Sequence, residues 1–111
     1  MATKMGKRKI YLALAEGEME SADAEIFNIN GFEETFAVHI CDKRTRRLFG
    51  RNYVVSELST GLSIVKGMKN KALSIKAAKE KMNRYKDDWQ RVKKEGIKTI
   101  KHYGYKFPLN K

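Results

Sequence analysis

The chain has 111 residues, 24 Lys or Arg against 13 Asp or Glu, a formal charge of +11 and 41% apolar residues. That length suits one core of useful size and not two, and the mixture of apolar and charged residues excludes a disordered chain. No segment nears the ~20 consecutive apolar residues of a membrane span, and a single cysteine, Cys41, closes no intramolecular disulfide, so a cytoplasmic, reducing compartment is expected.

Residues 1–8, rich in Lys and Gly, read as a flexible basic arm, with a single α+β domain expected over 9–111. Ile10, Leu12 and Leu14 alternate with Tyr11, Ala13 and Ala15, which predicts a strand from Lys9 to Ala15 with one buried face. The same run is too short for a signal peptide and meets Glu16. Residues 16–34 leave three conformations open: a short amphipathic helix from Met19 to Phe27, an acidic loop, or a second strand around Glu25 to Ile29. Asn30-Gly31 is a turn signal, because both residues tolerate positive φ.

Thr35 to Cys41 reads as a strand with Phe36, Val38 and Ile40 on one face. Asp42 to Arg47 is polar and fits a hairpin connection into an extended segment from Leu48 to Leu58, with Gly50 as a candidate bulge. Ser59-Thr60-Gly61 marks a turn, and Leu62, Ile64 and Val65 a returning strand that stops at Gly67. Asn70 is the expected N-cap of one long helix, since no Gly or Pro follows until Gly96, which reads as its stop. Within it Ile75, Ala78, Met82, Tyr85, Trp89 and Val92 repeat at helical spacing and are expected to face the sheet. After Gly96 the chain fits a short second helix or an edge strand. The expected architecture is therefore α+β, an antiparallel meander of three or four strands packed against one long C-terminal helix.

Charge is unevenly spread. Residues 10–42 hold eight acids and no Lys or Arg, whereas residues 43–111 hold 20 cations against 5 acids. Turning the apolar stripe inward leaves the helix cations in water. Lys43, Arg44, Arg46, Arg47 and Arg51 crowd one stretch, and guanidinium forks suit phosphate. These five, with Lys69, Lys71 and Lys76 at the helix start, are the candidate nucleic-acid-binding residues: Arg44, Arg46 and Arg47 on phosphates, the lysines extending the track. Phe49, Tyr53, Tyr103 and Tyr105 are candidates for base stacking, although patterned segments place aromatics more readily in a core. The acidic stretch either balances the basic face or offers phosphate-like charge to a partner protein.

Catalytic signals are poor. His39 and Cys41 share a strand face but supply two ligands where a zinc site needs three or four, and no nucleophile motif or phosphate loop stands out. No enzyme activity, metal or cofactor is expected.

Lys66-Gly67-Met68-Lys69-Asn70-Lys71-Ala72 followed by Ala77-Ala78 resembles the strand-to-helix passage of double-stranded-RNA-binding domains, which implies phosphate contacts for Lys69, Lys71 and Lys76. Tyr53-Val54-Val55-Ser56-Glu57, then Ser59-Thr60-Gly61, Ile64, Gly67 and the Ala-rich helix, resemble small phage-encoded meander-plus-helix proteins, some of them anti-CRISPR inhibitors. That resemblance implies a mobile-element origin and a nucleoprotein target. The sequence thus predicts non-catalytic binding of nucleic acid or of a protein and nucleic-acid complex, with a phage-encoded inhibitor or adaptor of a host protein as the alternative.

Overall fold

The computed structural model describes residues 3–13 and 19–110, with the backbone alone at residues 3–5, 13 and 49. Five strands, β1 (Thr3–Ala13), β2 (Met19–Asn28), β3 (Thr35–Ile40), β4 (Tyr53–Glu57) and β5 (Ser63–Met68), form one antiparallel sheet in chain order. Helix α1 (Lys43–Phe49) joins β3 to β4, and α2 (Lys71–Arg84) and α3 (Trp89–His102) follow β5 through a 3₁₀ turn at Lys86–Asp88.

The α+β class and the antiparallel meander are as expected; the strand count and the single long helix are corrected. The extra strand is β2. Its Ala24 and Ile26 bury on one face and Glu25 and Phe27 on the other, so the period of two that betrays a half-buried strand is absent. The basic arm is corrected over residues 3–8, which pair with β2 from Thr3↔Asn28 to Arg8↔Ala24. Residues 1 and 2 of that arm, and Leu14 of the predicted strand face, lie outside the described residues.

Asp42 to Arg47 is helical rather than a plain hairpin connection. The Asp42 carboxylate accepts from Thr45 N at 2.7 Å, and Gly50, at φ +85°, closes the far end with its N–H on Arg46 O at 2.9 Å. An N-cap and a left-handed glycine eight residues apart define this helix; with only seven residues between them, no apolar stripe can develop.

Helix α2 starts as predicted, with Asn70 Oδ1 accepting from Leu73 N at 2.9 Å. It ends at Arg84, inside the expected helix, without Gly or Pro. Asn83, Asp87 and Asp88 are weak helix formers, and the turn they permit lets both Met82 and Trp89 bury in one core. Tyr85, expected on the buried stripe, lies at the corner and is exposed. Gly96 is corrected from a stop to an interior position of α3, buried against the β4–β5 turn.

The sheet buries both faces. On the helix side Phe27, Phe36, Val38, Val55 and Ile64 pack with Ala78, Met82 and Trp89, the Phe36 ring lying 5.9 Å from Phe27 and 6.4 Å from Trp89. On the other side Ile10, Leu12, Ala24, Ile26, Ala37 and Leu58 form a second cluster. No long helix covers that side; the sheet curls over it. Strands β1 and β5 stand four spacings apart, ~19 Å in a flat sheet, yet Leu12 and Lys66 line one cavity of about 380 Å³. A clasp holds the curl: Asn110 Oδ1 accepts from Tyr11 N at 2.7 Å, while its Nδ2 donates to Tyr11 O at 3.0 Å and to Leu58 O at 2.9 Å.

The β4–β5 turn is organised by Glu57, 1% exposed. Its carboxylate accepts from Ser59 N at 2.6 Å, Ser59 Oγ at 2.8 Å, Thr60 N at 3.1 Å and Thr60 Oγ1 at 2.8 Å. Every one of those atoms is a donor, so the anion is solvated by the turn it shapes.

Two predictions follow from these positions. A methyl group at Gly96 would meet Thr60 Cβ at 3.6 Å and Leu62 Cδ2 at 3.8 Å, ordinary contact distances. Gly96→Ala is therefore expected to raise the thermal midpoint by about 3–6 °C through helix propensity and unfolded-chain entropy; a lower midpoint in calorimetry would refute the packing described. Glu57→Gln places an amide donor among donors and is expected to cost about 2–4 kcal/mol in urea denaturation. A cost below about 0.5 kcal/mol would show that the turn does not need the anion.

Candidate nucleic-acid interface

The two ends of the sheet differ in charge because of where the connections fall. One end carries the β2–β3 and β4–β5 turns, with Glu33, Glu34 and Glu57. The other carries α1, Arg51 and the entry to α2, since Ile40, Tyr53 and Met68 align across β3, β4 and β5, and with them two acids, Glu20 at the start of β2 and Asp42 at the N-cap of α1. Topology thus gathers the predicted cations at one end of the molecule.

Within that end they fall into two groups. Lys43, Arg44, Arg46 and Arg47 are exposed on the short turns of α1. Arg51 and Lys71 meet over the helix-side face of β1 to β3, where they line an open groove of about 450 Å³ together with Lys7, Arg8 and Lys9. Lys69 and Lys76 are exposed before and along α2 and line no part of this groove. The three β1 cations belong to the segment read as a frayed arm. Their signal was the continuity of Lys7 to Lys9 with the apolar alternation that follows, which extends the strand toward its N-terminal side.

Lys71 is less available than the sequence implied. Its Nζ lies 3.2 Å from Glu25 Oε1, and the Glu25 side chain is 9% exposed. The pair fastens the start of α2 to β2. Asp23 stands directly across from Lys9 in the β1–β2 register and also lines the groove. With Arg8 set on the other face by its pairing with Ala24, the four cations Lys7, Lys9, Arg51 and Lys71 against two acids leave the groove net positive.

Among the described residues, acids of this stretch reach later elements of the chain at Glu20, Glu25 and Glu34. Glu25 pairs with Lys71, Glu20 accepts from the Lys43 backbone N at 3.2 Å at the start of α1, and Glu34 pairs with Lys93 of α3 at 2.7 Å. Among the described residues the other ion pairs, Arg91–Asp88 and Lys98–Glu95, are exposed and local to α3. Arg44, Arg46, Arg47 and Arg51 stand in none of them. Of the proposed stacking residues, Tyr53 packs against the helix-side core, Tyr103 is exposed, Tyr105 is half-buried, and the Phe49 side chain lies outside the described residues.

Glu34 and Lys93 bind the acid-rich end to α3. Burial disfavours the Glu34 charge, but the Lys93 ammonium, a backbone N–H and the Trp89 indole together hold its pKa below the usual carboxylate range. The buried Trp89 Nε1 stands near this carboxylate with no hydrogen-bond partner among the described residues. Burial likewise opposes the Lys93 charge, and Glu34 more than offsets it, so the Lys93 pKa is raised.

His39 is buried on the opposite face of the sheet. Its Nδ1 lies 2.8 Å from Ile40 O, which can only accept, so Nδ1 carries the proton and Nε2 accepts from Ser56 Oγ at 2.8 Å. Burial is the main reason its pKa is lowered, and the ring is neutral. A carbonyl where a hydrolytic triad has a carboxylate gives an imidazolium little support, so this contact reads as two buried polar groups satisfying each other. Among the described residues no group of three or more His, Cys, Asp or Glu is placed to hold a metal ion, and no helix is long and apolar enough to cross a membrane. Cys41 is buried with its thiol 3.7 Å from Gly50 O.

No protein family, curated protein or solved structure matches the chain.

The Glu34–Lys93 pair has a defined pH signature. A lowered carboxylate pKa contributes stability that is present above the unfolded value of about 4.3 and lost as pH falls through the folded value. A raised lysine pKa contributes below about 10.4 and is lost as pH rises through the folded value. Lys93→Met is expected to cost about 1.5–3 kcal/mol at neutral pH, with the gap to the parent protein closing below about pH 4. A gap independent of pH would assign the loss to packing alone.

Proposed function

We propose that this protein binds nucleic acid, or a complex of protein and nucleic acid, without catalysis, through the basic end of the sheet, and that it works in the cytoplasm. The observation that carries this reading is the convergence of Arg51 with Lys7 and Lys9 around one open groove, next to four exposed cations on α1. A field of this density raises the local concentration of polyanions, and contacts to several phosphates release counterions and make affinity fall steeply with salt.

Helix α1 supports the reading by its spacing. Lys43 with Arg46 and Arg47, and Arg44 with Arg47, are three or four residues apart, so like charges crowd a single short helix. That arrangement costs stability, and an anion laid along the helix would relieve it. Arginine forks suit phosphate oxygens better than they suit bare solubility.

The test is a fluorescence anisotropy titration with duplex DNA, duplex RNA and single strands over a range of salt. Log affinity is expected to fall linearly with log salt, and Arg44→Ala/Arg46→Ala/Arg47→Ala to lower the slope by about 2–3. An unchanged slope in this variant would move the contact away from α1. No binding by the isolated protein at low salt, with capture of a protein target that survives nuclease treatment, would replace this reading by that of an inhibitor or adaptor of a host protein.

A further inference from the structure

The curled face of the sheet holds an open cavity of about 380 Å³ between β1, β4, β5 and the start of α1, within the ~300–1,000 Å³ range of small-molecule sites. Resting on the nucleic-acid reading above, we propose that this cavity takes one nucleotide unit, with the base inside and the phosphate at the rim toward α1. The unit is either a free mononucleotide or an unstacked residue of a bound strand.

The lining separates a base from other ligands. Leu12 and Val54 supply apolar wall, suited to the faces of a planar ring. Thr45, Asn52 and Ser63 supply two hydroxyls and an amide, all half-buried, and among the described residues their side chains make no hydrogen bond. Half-buried polar groups without partners call for a ligand or water that both donates and accepts. A purely apolar ligand would leave them unsatisfied. A small anion would meet the Asp42 carboxylate, which lines the same cavity and is fixed there by its bond from Thr45 N. A neutral heterocycle with a mixed polar edge meets neither objection.

Two further features fit this occupant. His39 and Ser56 form part of the wall, but their hydrogen bond locks both and burial keeps the imidazole neutral, so they shape the site without charging it. Lys66 lines the cavity and is exposed, and the cations of α1 follow directly from Asp42. A phosphate leaving the cavity on that side meets positive charge. Apolar walls and edge recognition inside a pocket, with charge outside, suit an unstacked base carrying its phosphate.

The experiment follows amide shifts in ¹H–¹⁵N spectra of the whole chain, including the Asn52 side-chain amide. The additions are AMP, GMP, CMP and UMP, then ribose 5-phosphate and inorganic phosphate as base-free probes. At least one nucleotide is expected to shift Thr45, Asn52 and Ser63 together, and the base-free probes to leave them still. Equal shifts with phosphate alone would overturn the proposal. A short oligonucleotide and its abasic counterpart separate the sources: a strand residue in the cavity predicts about tenfold weaker binding of the abasic strand, whereas a free nucleotide predicts shifts only with the monomers.

Asn52→Ala is expected to abolish the base-dependent shifts while leaving the salt slope of oligonucleotide binding unchanged, and retention of those shifts would count against the site. Salt-sensitive binding of both strands alike, with no shift at these residues from any nucleotide, would sink the cavity proposal and leave the polyanion reading standing. Absence of all binding would sink both.

Discussion

Ile10, Leu12, Ala24, Ile26 and Ala37 must be kept from water although both long helices lie on the other side of the sheet. Apolar burial is worth roughly 25 cal/mol per Å², so leaving this second face open would forfeit a large share of the stability of so small a protein. The sheet meets the demand by curling, which right-handed strand twist favours. Curling cannot close the sheet completely, because β1 has no β5 partner to bond; the residual space is the cavity, and the Asn110 amide takes the place of a neighbouring strand at Tyr11. The helices, freed from that face, spread over the other and direct their cations outward.

The same constraint explains why some of the fold was legible in the sequence and some was not. Helix α2 announced itself through Asn70 and through Ile75, Ala78 and Met82, because one buried stripe on a helix writes a clear period. Strands β3 and β4 were legible from their β-branched and aromatic residues. Strand β2 was not, since a strand buried on both faces loses its alternation, and Glu25 and Asp23 disguise it as an acidic loop. Helix α1 was hidden by its brevity, and the break before Trp89 by the lack of a glycine or proline to mark it. Gly96 misled for the opposite reason: a glycine usually marks a helix end, and here it sits in the interior, against Thr60.

The candidate site was legible by composition and less so by geometry. Residue type alone marked Arg44, Arg46, Arg47 and Arg51 as surface cations. Nothing in the sequence told that Lys71 would be held by Glu25, because the two are 46 residues apart and meet only through the sheet register. Nor did it tell that Lys7 to Lys9 would stand beside Arg51, a consequence of β1 being a full strand. Glu57 was invisible for a related reason: a glutamate next to Ser59 and Thr60 looks like a solvated turn until the strands on either side bury it.

The clasp at Asn110 links positions 99 residues apart, whereas each hairpin of the sheet closes a short loop. The entropy of ring closure grows with the length enclosed, and contacts of long separation form after local ones. The seam between Tyr11 and Asn110 is therefore a late event in assembly and an early one in disassembly. When it parts, Tyr11 adds its N–H and C=O to the outer edge of β1, the kind of surface from which ordered aggregates grow.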